Sequence, residues 1–158
     1  MDDSQRARIP ESTKESRPTS NTSRPLRVVL AEDNEAMRQL VTVSLSREGF
    51  EVVECSNGAE LAGVMEGPME REAHPPIDVI VSDVQMPGRT GLECLRSIRK
   101  FNKPIPFIII TAFGDKATHE DAFRSGATAV FDKPFDLEEL VHAIRRAVLS
   151  KNRARETA

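Results

Sequence analysis

Three carboxylates, one threonine and one lysine are the candidates for chemistry in this sequence of 158 residues. Glu32 and Asp33 follow one short apolar run, Asp83 follows another, Thr111 ends a third and Lys133 follows a fourth. Clustered carboxylates repel one another unless a cation lies among them, and their hard oxygens favour Mg²⁺, with Mn²⁺ as the second candidate. A metal ion and a lysine can neutralise the oxygens of a phosphoryl group while a carboxylate attacks it. The residue types therefore favour phosphoryl transfer.

Each of these residues also has an ordinary structural explanation. An aspartate after a strand is commonly a turn residue or a helix N-cap. Lys133 is compatible with a solvated surface lysine, and Thr111 with a simple strand-end hydroxyl. A coincidence of five such roles at four strand ends is a poorer explanation than one shared site.

The elements that must position these residues are visible in the hydrophobic pattern. Short apolar runs alternate with amphipathic helical spacings, which predicts five strands and five helices. Such alternation is typical of an α/β fold, here a doubly wound five-stranded parallel sheet with helices on both faces. Functional sites in these sheets lie at the carboxyl ends of the strands, where the candidates occur. The predicted strands are residues 26–31, 50–55, 78–82, 106–111 and 129–132.

Composition limits the classes of protein to which the chain can belong. The net charge is −3 overall and −6 over residues 26–150, which argues against direct nucleic-acid binding. No apolar run approaches the roughly 20 residues that span a bilayer, and the N-terminus is too polar for a signal peptide. We therefore predict a cytoplasmic protein without a membrane partner, and a reduced, packed pair at Cys55 and Cys94.

Two polar ends flank the predicted domain. Residues 1–25 contain eight Ser or Thr and three Pro but only three apolar residues, so we predict a disordered polar leader. Residues 151–158 are interpreted in the same way, as a flexible C-terminal tail. The domain itself is assigned to residues 26–150.

The motifs around the candidates resemble the receiver domain of two-component response regulators. That family carries an acidic pair after the first strand, a phosphoacceptor loop of pattern D-x-x-M-P-x-x-x-G, a Thr-Ala pair and a Lys-Pro-Phe. The resemblance covers about residues 26–150 and implies the flavodoxin-like (βα)5 receiver fold. The matching residues are Glu32-Asp33-Asn34, Asp83, Met86, Pro87, Gly91, Thr111-Ala112, Gly114-Asp115, Gly126-Ala127 and Lys133-Pro134-Phe135.

The resemblance implies a phosphoacceptor and a metal site. Asp83 would accept a phosphoryl group from the phosphohistidine of a histidine kinase or a histidine phosphotransfer protein. Asp33 and Asp83 would bind Mg²⁺ directly, Glu32 would bind it through water, and the backbone carbonyl of Gln85 would complete the protein ligands.

Other residues would bind or orient the phosphoryl group. Thr111 would donate a hydrogen bond to it, Lys133 would pair with it, and a cis peptide bond before Pro134 would direct the lysine into the site. Receiver domains usually carry Tyr or Phe three residues before the lysine, where this chain has Val130. Phe131 is adjacent but points to the other face of a strand. We therefore expect activation through loop and helix movement and not through a ring that swings inward.

Two residues flank the path of the hydrolytic water in this family, and here they are Gln85 and Phe113. An apolar ring at Phe113 hinders water more than a polar side chain would, so slow self-dephosphorylation is expected. His119 lies in the fourth helix, at a position where alanine is common. We interpret it as an exposed histidine without a function.

These expectations combine into a stand-alone receiver, a signalling module and not an enzyme acting on a separate substrate. Phosphorylation would change its contacts with an unidentified downstream protein, as a monomer or a weak phosphorylation-dependent dimer. One alternative is a receiver fragment of a hybrid kinase or larger regulator. Another is an Asp-nucleophile phosphohydrolase similar to the haloacid dehalogenase type. Such a hydrolase needs a second aspartate two residues after the nucleophile, where this chain has Gln85.

Overall fold

One parallel sheet organises the part of the chain that the computed structural model describes, residues 24–66, 76–101 and 103–157. Its strands are β1 (Arg27–Ala31), β2 (Glu51–Cys55), β3 (Val79–Asp83), β4 (Phe107–Thr111) and β5 (Ala129–Asp132). They lie in the order β2-β1-β3-β4-β5, and all neighbouring strands are parallel. The order changes direction at β1, so right-handed crossovers place the connecting helices on both faces. The doubly wound α/β prediction is confirmed.

A helix follows each strand. The helices are α1 (Glu35–Arg47), α2 (Gly58–Glu66), α3 (Gly91–Lys100), α4 (Lys116–Arg124) and α5 (Leu137–Thr157). Asp115 caps α4, because its side chain accepts a hydrogen bond of 2.8 Å from the amide of Thr118. A cap of this kind satisfies an amide that the helix leaves unpaired and contributes about 1 kcal/mol.

The hydrophobic core has two layers, one on each face of the sheet. All residues of β3 and β4 are buried, as expected for central strands covered on both faces. Each fully buried aliphatic side chain stabilises the fold by about 1.5–3 kcal/mol relative to exposure. One layer contains Val41, Leu45, Leu140, Val141, Ile144 and Val148 from α1 and α5, and the other contains Leu61, Met65, Leu92, Leu95, Ile98 and Ala122 from α2, α3 and α4.

Residues just outside both predicted ends of the domain, 26 and 150, contact the domain or continue its last helix. At the N-terminal end, Arg24, which lies in the predicted leader, donates hydrogen bonds of 3.0 and 3.1 Å to the carboxylate of Asp78. At the C-terminal end, α5 continues to Thr157, through most of the predicted tail. The reason is local, because these residues include good helix formers and no Gly or Pro. Residues 1–23, 67–75, 102 and 158 lie outside the described part, and so does most of the predicted leader.

Two smaller expectations can also be compared with the structure. Cys55 and Cys94 are both buried and free, as the sequence predicted. Within the described residues, no helix is both long enough and apolar enough to cross a membrane.

Candidate functional site

The carboxyl ends of the parallel strands bring the five candidate residues to one edge of the sheet. Glu32 and Asp33 directly follow β1, Asp83 ends β3, Thr111 ends β4, and Lys133 directly follows β5. The strands are adjacent in the order β1-β3-β4-β5, so residues far apart in sequence become neighbours. This is the placement that the strand-end argument predicted.

Three carboxylates form a compact acidic cluster at this edge. Glu32, Asp33 and Asp83 each offer a carboxylate oxygen, and these atoms lie within 4.8 Å of one another. Glu32 and Asp83 are buried, whereas Asp33 is exposed. Hard oxygen donors at this spacing suit Mg²⁺, which takes a few protein ligands and keeps several waters. The residues present therefore fit the metal that the sequence predicted.

Lys133 provides the positive charge of the site. Its Nζ atom lies 2.7 Å from Oδ2 of Asp83 and 3.1 and 3.0 Å from the two carboxylate oxygens of Glu32. Burial alone would lower the pKa of Lys133, but its hydrogen bonds to Asp83 and Glu32 outweigh burial and raise the pKa. The lysine is therefore a permanent cation between the two buried carboxylates.

Glu32 is held from several directions. Its Oε1 atom accepts a hydrogen bond of 3.2 Å from the amide of Asn34, and its backbone carbonyl accepts one of 2.9 Å from Nη1 of Arg38. Burial raises the pKa of Glu32 and the hydrogen bond from Lys133 opposes the shift. Arg38 is not among the residues predicted for the site, although its position one helical turn after Asn34, the N-cap of α1, is a usable signal.

The Asp83 carboxylate has a different donor on each oxygen. Oδ1 accepts a hydrogen bond of 3.1 Å from the amide of Gln85, and Oδ2 accepts the one from Lys133. The first residue of α3, Gly91, packs directly against the backbone of Asp83, where a Cβ would overlap the carbonyl oxygen of Asp83. The amide of the sequence-predicted residue Gln85 thus contacts the carboxylate of Asp83.

Thr111 and Lys133 are tied together through the backbone. The amide of Lys133 donates to the carbonyl of Thr111 at 2.8 Å, and the Lys133–Pro134 peptide bond is cis, as the resemblance implied. Oγ1 of the buried Thr111 accepts a hydrogen bond of 3.1 Å from the amide of Phe113. The Phe113 ring itself is exposed.

The two faces of β5 differ as the sequence predicted. Val130 packs against the core layer that contains α3 and α4 residues, whereas Phe131 packs into the opposite layer. Phe131 meets Phe135 edge to face, with ring centroids 6.2 Å apart. His119 is half-buried and not fully exposed as predicted, and its Nε2 atom lies 2.7 Å from Oδ1 of Asp132.

Comparisons with known proteins agree with this geometry. A family profile described as the response regulator receiver domain matches residues 28–145. The transcriptional regulatory protein PdtaR of Mycobacterium tuberculosis is 34% identical over 125 residues, which cover 78% of this chain and 57% of that protein. The DNA-binding transcriptional regulator NtrC of Escherichia coli is 32% identical over 121 residues, or 77% of this chain and 24% of NtrC. This chain therefore spans about a quarter to just over half of these curated relatives.

A solved structure gives the same result. The response regulator receiver domain protein from Clostridium thermocellum superposes with a TM-score of 0.72 at 28% identity. The superposition covers 80% of this chain and 97% of that one. The likeness therefore extends over almost the whole of an independent receiver domain.

Proposed function

The chain belongs to the response regulator receiver domain family, and on that premise we propose that Asp83 is the residue that accepts the phosphoryl group. The donor is the phosphohistidine of a histidine kinase or a histidine phosphotransfer protein. The observation that carries the assignment is the position of Asp83, whose carboxylate lies 2.7 Å from Lys133 Nζ and within the acidic cluster.

The transfer is a simple exchange of bonds at phosphorus. A carboxylate oxygen of Asp83 attacks the phosphorus, the bond from phosphorus to the histidine nitrogen breaks, and the imidazole leaves with its electron pair. The product is an acyl phosphate on Asp83. Asp33, Asp83, the water-linked Glu32 and the backbone carbonyl of Gln85 would hold Mg²⁺, and the ion would neutralise charge on the phosphoryl oxygens.

Lys133 and Thr111 serve the transferred group. The lysine already contacts the Asp83 carboxylate, so it needs only a small movement to pair with a phosphoryl oxygen attached there. The Thr111 oxygen accepts from the amide of Phe113, which leaves its hydroxyl proton to donate to the phosphoryl group. Pro134 directs Lys133, and Phe113 and Gln85 control the access of water to the acyl phosphate.

The output of this reaction is a change of protein contacts. We propose a signalling module whose own catalysis is limited to its phosphorylation and dephosphorylation, located in the cytoplasm, as a monomer or a weak phosphorylation-dependent dimer. Nothing in the site favours the phosphohydrolase alternative, because Gln85 occupies the position where such enzymes need an acid or base.

The test is phosphorylation with a small donor. The full chain is incubated with acetyl phosphate and Mg²⁺, and its intact mass is measured over time. We expect one phosphoryl group on the wild-type chain, none on Asp83→Asn, and strongly slowed labelling of Asp33→Asn, which keeps the acceptor but loses a metal ligand. Label on Asp83→Asn, or repeated turnover of a generic phosphomonoester, would contradict the proposal.

A further inference from the structure

His119 connects α4 to the end of β5. It is the fourth residue of the helix, and its Nε2 atom lies 2.7 Å from Oδ1 of Asp132, the last residue of the strand. Because a carboxylate oxygen accepts, the proton of this bond is on Nε2. The side chains of His119 and Asp132 are 30% and 53% exposed, so the contact lies at the surface and can break without opening the core.

Asp132 lies between two residues of the phosphorylation site. Its Cα pairs with that of Thr111 in the β4–β5 register, and its chain neighbour is Lys133. The amide of Lys133 is hydrogen-bonded at 2.8 Å to the carbonyl of Thr111. A movement of Thr111 or Lys133 toward a phosphoryl group on Asp83 therefore acts directly on the backbone of Asp132.

The same carboxylate also fills the space beside the loop between β4 and α4. A Cβ placed on Gly114 would overlap the side chain of Asp132. The Asp132 carboxylate is thus packed against the loop that follows Thr111 and is hydrogen-bonded to α4, the helix after this loop. The side chain of Asp132, at the end of β5, thus contacts both α4 and the loop between β4 and α4.

On β5, the residue that shares a face with Asp132 carries no aromatic ring that could contact α4 in place of His119. Val130 shares a face of β5 with Asp132, since the two are separated by one residue, and it carries no ring. We propose that the His119–Asp132 hydrogen bond transmits phosphorylation of Asp83 to α4, an inference that rests on the proposed function. His119 and Asp132 are positioning residues, because they act through Thr111, Lys133 and the loop between β4 and α4.

An exposed pair of this kind could instead be a static surface contact, which contributes little to stability. The two roles differ in one observable. A static contact affects α4 equally in the phosphorylated and unphosphorylated protein, whereas a transmitting contact determines the difference between these states.

The experiment measures amide hydrogen exchange of residues 116–124 in the full chain, before and after phosphorylation by acetyl phosphate and Mg²⁺. Intact mass gives the extent of labelling of each sample. The variants are His119→Ala and Asp132→Ala, which remove the bond, and His119→Gln, which keeps an N–H donor near the position of Nε2. His142→Ala is the matched control, since His142 is an exposed histidine on the neighbouring helix α5.

We expect phosphorylation to change exchange in α4 of the wild-type chain and of His142→Ala. In His119→Ala and Asp132→Ala this difference should fall about threefold, which corresponds to the free energy typical of an exposed pair, while labelling of Asp83 stays unchanged. His119→Gln should recover most of the difference. An equal difference in His119→Ala and His142→Ala would overturn the inference but leave the proposed function intact, whereas absence of label on the wild-type chain would overturn both.

Gly114→Ala provides an independent variant that retains both partners. Its added methyl group displaces the Asp132 carboxylate from the loop, so it should reduce the phosphorylation-dependent difference as His119→Ala does. If phosphorylation changes amide exchange in α4 of Gly114→Ala as much as in the wild-type chain, the role assigned to the Asp132 carboxylate is overturned.

Discussion

Lys133 donates a hydrogen bond of 2.7 Å to the carboxylate of Asp83, although the two residues are 50 positions apart in the chain. The same ammonium group contacts both carboxylate oxygens of Glu32. The buried negative charge of the site is therefore already partly neutralised before any phosphoryl group arrives. This arrangement makes the lysine the cation that pairs with both buried carboxylates.

Lys133→Met should lower the free energy of unfolding in metal-free buffer at neutral pH by about 2–3 kcal/mol, because it leaves two buried carboxylates without their cation. The loss should shrink as the pH falls. Burial raises the pKa of Glu32, and the substitution removes the hydrogen bond that opposes this shift. When folding raises the pKa of a carboxyl group, the free energy of unfolding falls as the pH rises through that pKa. The variant is therefore more stable in acid than at neutrality.

Urea unfolding at several pH values measures this effect, and Lys100→Met is the control because Lys100 is an exposed lysine at the end of α3. Equal pH dependence of the two variants would show that Lys133 does not neutralise Glu32 and Asp83.

Mg²⁺ should stabilise the wild-type chain by about 1–3 kcal/mol at concentrations well above its dissociation constant, because binding to the folded state alone shifts the unfolding equilibrium. Asp33→Asn should lose most of this gain, since the exposed Asp33 is one of the three carboxylates of the cluster. Thermal unfolding with and without Mg²⁺ measures the effect. Glu139→Gln, a change to an exposed carboxylate on α5, should keep the full gain, and a similar loss in both variants would exclude a specific metal site.

Strand positions and the gathering of the site were predictable because both follow from local patterns and from parallel topology. An almost wholly apolar run such as Phe107–Thr111 is typical of a central strand, and parallel strands present their carboxyl ends at one edge. It is therefore possible to predict, without any knowledge of side-chain packing, that the three carboxylates, Thr111 and Lys133 lie close together.

Contacts between side chains on different elements were not predictable in this way. The hydrogen bond between His119 and Asp132 depends on the orientation of α4 relative to β5, and no local sequence pattern determines that orientation. The ion pair of Arg24 with Asp78 likewise depends on the strand order, which places the start of β1 beside the start of β3. The polar composition of residues 151–158 predicts a tail, whereas α5 continues to Thr157, because polar residues of these types also favour a helix.

Phe113→Glu should accelerate decay of the acyl phosphate by about tenfold or more, because a carboxylate at this position can orient and activate water where the ring excludes it. The Phe113 amide contacts Oγ1 of Thr111, which places the residue beside the site. Loss of the added mass after removal of the phosphodonor measures the decay. Phe101→Glu is the matched control, because the Phe101 and Phe113 rings are similarly exposed, at 63% and 66%. Unchanged decay in Phe113→Glu would show that the ring does not limit access of water.

Cys55 should resist alkylation in the folded protein. Burial raises the pKa of its thiol to about 11, and thiolate, not thiol, is the nucleophile. The raised pKa also fixes the sign of the pH effect, since the neutral thiol is favoured by folding. The stability it contributes is complete below the unfolded-state pKa of about 8.5 and is lost as the pH rises toward about 11.

Mass spectrometry after iodoacetamide treatment at mildly alkaline pH measures this protection. We expect no modification of Cys55 in buffer and full modification in concentrated urea. Burial also raises the pKa of Cys94, so this second thiol should show the same contrast. Rapid alkylation of Cys55 in the native protein would contradict its burial.

Two Gly→Ala substitutions should have opposite effects on stability. Gly126 follows the C-cap of α4 with a φ of +105°, a left-handed conformation that side chains disfavour, and a Cβ there would lie 2.8 Å from Nε of Arg99. Arg99 is anchored at this point, because its Nη2 atom donates to the carbonyl of Gly126 at 2.9 Å. Gly126→Ala should therefore lower the free energy of unfolding by about 1–3 kcal/mol.

Gly63 lies within α2, and a Cβ there meets nothing within 4 Å among the described residues. Gly63→Ala should raise the free energy of unfolding by about 0.5–1 kcal/mol, because alanine loses less conformational entropy in a helix. Urea midpoints of both variants against the wild-type chain measure the two effects. Each variant adds one methyl group, so midpoint changes of opposite sign must come from backbone conformation and from Arg99. Midpoint changes of the same sign would contradict the geometry at Gly126.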